Sequence, residues 1–101
     1  MRPEVVLLYF EGCPNVKEAR KNIEEALLTA GVAALWKEAD LQSPATPEAW
    51  RGFPSPTVLV EGREVGTGRK ECRGTPSCRM AGAPSADKIV AALEEYGGRG
   101  R

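Results

Sequence analysis

The sequence predicts an α/β domain, and three stretches carry that prediction. Val5 to Phe10 is an unbroken apolar run with β-branched and aromatic members, the pattern of a strand buried on both faces of a sheet. Val16 to Ala30 repeats apolar residues at spacings of three and four, which predicts an amphipathic helix. Thr57–Val60 and Glu64-Val65 flank the turn Glu61-Gly62-Arg63, two short strands around a glycine that predict a β-hairpin.

Taken in order, the first strand is broken by Glu11-Gly12, and Cys13-Pro14 follows. Proline suits the first turn of a helix, where it has no N–H to leave unpaired, so Cys13 is expected to be the N-cap. The helix carries Val16, Ala19, Ile23, Ala26, Leu27 and Ala30 on its apolar face, and Gly31 should end it. Val32 to Leu41 alternates weakly, Leu35 and Ala39 against Trp36, Glu38 and Asp40, as a shorter, partly exposed strand would. Strand, helix and strand in that order make a βαβ unit with parallel strands. Thr46-Pro47-Glu48-Ala49-Trp50 suits one short helix closed by Gly52, and the hairpin follows. A loop from Arg69 to Pro84 holds Cys72 and Cys78, after which Ser85 should cap a last helix with Ile89, Leu93 and Tyr96 on its apolar side. Residues 1–97 are expected to form a single domain and residues 98–101 a flexible tail.

With 101 residues, the chain suffices for one core and not for two. Lysine plus arginine balances aspartate plus glutamate at 14 each, so no net field recommends nucleic acid or an anionic membrane as a partner. The apolar run near the N-terminus is too short for a secretory signal or a membrane span, which points to a cytoplasmic protein. Histidine is absent, and with it Ser-His and Cys-His catalysis and every histidine-containing zinc site. Chemistry must therefore come from thiols, carboxylates, tyrosine, cations and backbone amides.

Three cysteines, an odd number, do not make a closed disulfide framework. A thiol at a helix N-cap faces unpaired N–H groups and the positive end of the helix dipole, both of which favour the thiolate, while Glu11 opposes it. Cys72 and Cys78 enclose the flexible Arg73-Gly74-Thr75-Pro76-Ser77, so they could pair as a redox switch or stand as two ordinary loop thiols. Cys-x5-Cys lacks the short spacing of zinc knuckles. Three thiolates, Cys13, Cys72 and Cys78, would suit copper(I) or mercury better than a hard cation. Arg69, Lys70, Arg73 and Arg79 favour thiolates and could hold an anionic thiol, or could serve only to solvate the loop. Asp40, at the end of the second strand on the Cys13 side, is a candidate proton donor or an ordinary strand cap.

Two motifs, Gly12-Cys13-Pro14-Asn15-Val16 at the first strand-to-helix turn and Ser55-Pro56-Thr57 before the third strand, give the chain a resemblance to the thioredoxin-like proteins, nearest in size to the glutaredoxin-like members. It also resembles small bacterial thioredoxin-family proteins with a Gly-Cys-Pro-Asn turn, some of them labelled as related to alkylmercury lyase. The resemblance implies a four-stranded mixed sheet in the order 2-1-3-4 flanked by helices. It further implies a cis Pro56 packed near Cys13, with Ser55, Pro56 and Thr57 beside the substrate. Val16 stands where that family carries its second cysteine, so the centre would be monothiol and another thiol must resolve a mixed disulfide.

The expected function is thiol-disulfide exchange, with Cys13 attacking, Cys72 or Cys78 resolving, Arg73 assisting substrate binding and no organic cofactor. Its partner would be a protein or low-molecular-weight thiol or disulfide. The alternatives are a soft-metal thiolate protein with a role in organomercurial or metal resistance, and an interaction module whose cysteines are incidental.

Overall fold

The two central strands owe their place to a period-two split of apolar side chains between two cores. The computed structural model describes residues 3–74 and 82–97. Within them lie strand β1 (Val5–Tyr9), helix α1 (Val16–Thr29), strand β2 (Lys37–Asp40), a single 3₁₀ turn (Glu48–Trp50), strands β3 (Thr57–Val60) and β4 (Arg63–Glu64), and helix α2 (Ala86–Ala92). A π-helical turn, Leu93–Gly97, continues α2. The sheet is mixed and four-stranded in the order β2-β1-β3-β4. β1 runs parallel to β2 with Tyr9 opposite Asp40, and antiparallel to β3 with Leu8 opposite Thr57.

Successive strand residues point to opposite faces, and the burial follows that rule. Val5 and Leu7 of β1 with Val58 and Val60 of β3 pack against Ala19, Ile23, Ala26 and Leu27 of α1 and Ile89 and Ala92 of α2. Val6, Leu8 and Leu59 face the other way, onto Leu41 and Phe53, with Trp50 and Cys72 partly covering them. Both α-helices thus cover one face, and a loop with a short 3₁₀ turn covers the other. The βαβ unit and the hairpin are as the sequence predicts.

The helix ends are set by specific hydrogen bonds. α1 closes with Val32 N–H on Leu27 O and Gly31 N–H on Leu28 O, both at 3.1 Å, the paired bonds of a Schellman cap with Gly31 at positive φ. Ser85 caps α2, its hydroxyl accepting from Lys88 N–H at 3.3 Å.

Several expectations need correcting. α1 is capped by Asn15, not Cys13, and begins at Val16. The predicted second strand shrinks to Lys37–Asp40, and Leu35, expected to face inward, is 58% exposed. Only residues from Lys37 onward sit in register with β1, so Leu35 has no neighbouring strand to lie against. β4 is Arg63–Glu64, one residue earlier than expected, because Val60 and Arg63 pair across the turn. Ala30, assigned to the apolar face of α1, is exposed. Cys78, Arg79 and the expected tail lie outside the described residues.

Candidate thiol site

Two consecutive turns present Cys13. The first spans Phe10 to Cys13 and is closed by Cys13 N–H on Phe10 O at 3.3 Å. Its third residue, Gly12, has φ +89°, the left-handed region that a type II turn requires there and that residues with a Cβ resist. The second spans Cys13 to Val16 and is closed by Val16 N–H on Cys13 O at 3.5 Å. Asn15 has φ −96° and ψ 3°, the third-residue geometry of a type I turn, which favours proline at the position before it. Pro14 therefore serves this turn and not the first position of the helix. The consequence for Cys13 is electrostatic: it lies two residues ahead of the cap, where the effect of the helix dipole has weakened.

Cys13 is buried, 8% exposed, in the helix-side core. Its Sγ donates to the carbonyl oxygen of Ser55 at 3.6 Å. The Ser55 hydroxyl in turn accepts from Phe10 N–H at 3.3 Å, so one fully buried serine ties both the end of β1 and the cysteine to the segment entering β3. The Ser55–Pro56 peptide bond is cis, at the position to which the resemblance points. Thr57, also buried, donates its hydroxyl to Pro54 O.

Cys13 lines an open depression of about 240 Å³ together with Tyr9, Phe10, Glu11, Gly12, Pro14, Val16, Lys17 and Arg20. Arg20 is anchored: its Nε and Nη2 donate to the two carboxylate oxygens of Glu38, each at 3.0 Å, and its guanidinium lies 5.6 Å from the Tyr9 ring centroid. Trp36 Nε1–H also donates to Glu38, at 3.0 Å. The hydrogen bond from Arg20, with help from that of Trp36, holds the Glu38 carboxyl below the usual glutamate range. The same Glu38 bond raises Arg20 further, and Glu11 and Tyr9 add to it. Sequence reasoning missed this network. The available signal was a lone Glu38 on a strand beside a tryptophan, with a basic residue on the preceding helix.

No family model, curated protein or solved structure matches this chain.

The remaining expected site residues lie elsewhere. Cys72 packs on the opposite face of the sheet, against the cluster of Val6, Leu8, Leu41, Phe53 and Leu59. Its backbone is clamped there, Cys72 N–H on Ala49 O at 2.7 Å and Gly52 N–H on Cys72 O at 2.6 Å. Cys13 therefore shares the core of α1 and α2, whereas Cys72 shares that of the 3₁₀ turn, and no disulfide joins them. Arg73, expected near a substrate, pairs with Glu71 at 2.9 Å and Glu48 at 3.8 Å on the Cys72 side. Asp40 does end β2 next to Tyr9, but its carboxylate accepts from Gln42 N–H at 2.9 Å, the role of a turn cap.

Behind Cys72 a buried carboxylate organises the loop. Glu64 is 2% exposed and accepts from Arg69 Nε at 2.9 Å and from the Thr67 hydroxyl at 2.6 Å. That bond raises the Arg69 guanidinium above its ordinary range. Arg69 also lies 5.5 Å from the Phe53 ring centroid and reaches Cys72 Sγ at 3.9 Å. Among the described residues no group of three or more cysteine, aspartate or glutamate side chains converges as a metal site.

Proposed function

We propose that Cys13 performs thiol-disulfide exchange as a monothiol within a thioredoxin-like domain. The observation that carries the reading is the hold on its sulfur: Cys13 sits at the junction of two turns with Sγ 3.6 Å from the Ser55 carbonyl, and the residue lines an open depression. A sulfur so held is oriented before the substrate arrives, which spares the entropy of positioning it.

In the first step the Cys13 thiolate attacks one sulfur of a disulfide RS–SR′. A bond forms between Cys13 Sγ and RS, the S–S bond breaks, and R′S⁻ leaves with the electron pair. In the second step a low-molecular-weight thiolate attacks the RS sulfur of the mixed disulfide, returning the Cys13 thiolate and taking RS into a new disulfide. The net electrons come from that external thiol. Cys72, clamped on the opposite face, is not the resolving group in this reading. The thiol proton passes to solvent water before the attack, and Lys17 and Arg20, which line the same depression as Cys13, supply positive charge to the resulting anion.

The test is to treat the folded protein with hydroxyethyl disulfide and map adducts by peptide mass spectrometry. A single adduct on Cys13, released by added thiol and absent in Cys13→Ser, is the expected result. An unlabelled Cys13 in the folded chain would overturn the reading.

A further inference from the structure

The depression lined by Cys13 carries charges of both signs. Lys17 is the second residue of α1 and makes no ion pair among the described residues. Arg20, three residues on and so on the same helix face, has Nε and Nη2 committed to Glu38, while Nη1 has no acceptor among the described residues. Glu11, exposed in the first turn, supplies a carboxylate on the lip and is not paired with Lys17. At about 240 Å³ the space falls below the range of roughly 300–1,000 Å³ typical of drug-sized sites, so it suits a fragment the size of one amino acid.

Resting on the exchange reading above, we infer that this depression binds the zwitterionic α-amino-acid head group of a small disulfide, its carboxylate on Lys17 and Arg20 Nη1 and its ammonium on Glu11. The substrate class is then a cystine-type disulfide, in which each sulfur hangs one carbon from an ammonium-bearing, carboxylate-bearing carbon. The positive and negative side chains lining the depression complement the carboxylate and ammonium of that head group, and its sulfur is on a short arm directed at Cys13. Disulfides with only one of the two charges engage half of the lip. The exchange step is the one written above, with R the half-cystine.

The experiment measures the rate of Cys13 adduct formation with cystine, cystamine, dithiodipropionate and hydroxyethyl disulfide, each divided by its rate with N-acetylcysteine to remove intrinsic reactivity. Cystine should lead in the native chain, each exposed charge contact contributing about two- to fivefold. Lys17→Ala should shrink its lead over cystamine, which lacks the carboxylate, by about two- to fivefold and leave its lead over dithiodipropionate. Glu11→Ala should do the reverse. Equal normalised rates for all four disulfides, or leads unchanged by both substitutions, would overturn the inference while Cys13 labelling by hydroxyethyl disulfide keeps the exchange reading standing. If no disulfide labels Cys13, the exchange reading fails and this inference falls with it.

Discussion

Cys13 and Ser55 are joined through backbone and side chain at once: the cysteine Sγ donates to the Ser55 carbonyl at 3.6 Å while the Ser55 hydroxyl holds Phe10 N–H, three residues before Cys13, at 3.3 Å. The thiol is thereby referenced to β3 as well as to its own strand. Ser55→Ala removes the hydroxyl and keeps the carbonyl. Leaving the Phe10 N–H without its acceptor should cost about 1–2 kcal/mol, seen as a lower urea midpoint at unchanged slope. An unmoved midpoint would show that this bond contributes nothing.

Gly12 should tolerate substitution according to backbone preference alone. A Cβ there meets nothing within 4 Å, yet φ is +89°. Gly12→Ala is expected to cost roughly 1–2 kcal/mol and Gly12→Asn less, because asparagine visits left-handed geometry more readily. Thermal unfolding of the two variants checks the order; equal losses would contradict it.

Gly52 poses the opposite problem. A Cβ there would lie 2.4 Å from the Arg73 carbonyl carbon and oxygen and 2.7 Å from Cys72 O, so the backbone of the following loop must move. Gly52→Ala should destabilise by about 1–3 kcal/mol and speed alkylation of Cys72 by breaking the clamp to Ala49 and Gly52. Peptide-resolved iodoacetamide labelling reads this directly, and unchanged Cys72 labelling would refute it.

The Arg20–Glu38 pair should make stability depend on acid. The folded-state pKa of Glu38 is depressed, so its contribution is present above the unfolded value of about 4.3 and is lost as pH falls through the lower folded value. With side chains 44% and 28% exposed, solvent screening keeps the pair near 0.2–1 kcal/mol. Arg20→Met should show that deficit in urea unfolding at neutral pH, and the gap to the native chain should close at a pH below the folded value. A gap that persists in acid would place the arginine's contribution in packing.

The fold was legible where burial patterns decide it. Val5 to Phe10 was expected to be a buried strand, Val16 to Ala30 an amphipathic helix and Glu61-Gly62-Arg63 the corner of a hairpin; they form as Val5–Tyr9, Val16–Thr29 and a turn closed between Val60 and Arg63. The start of α1 was misplaced because a proline's fixed φ suits both the first helical position and the second residue of a type I turn, and Pro14 takes the second role. Cys72 was harder still. Its face of the sheet is decided by two backbone bonds to Ala49 and Gly52 across a long separation, to which no side-chain pattern corresponds. Arg73 illustrates the same limit, since a cation near a cysteine in sequence pairs with Glu71 and Glu48 instead. The Arg20–Glu38–Trp36 network joins α1 to β2 through register, which composition does not encode.

The interior place of β1 in the sheet has a mechanical consequence. A partner tethered to Cys13 and pulling along the strand axis would load the hydrogen bonds to β2 on one side and β3 on the other simultaneously, in shear, and not one after another as in peeling an edge strand. The cysteine is mounted at the end of the strand best braced against traction, so tension on a tethered partner would be met by both flanking strands together.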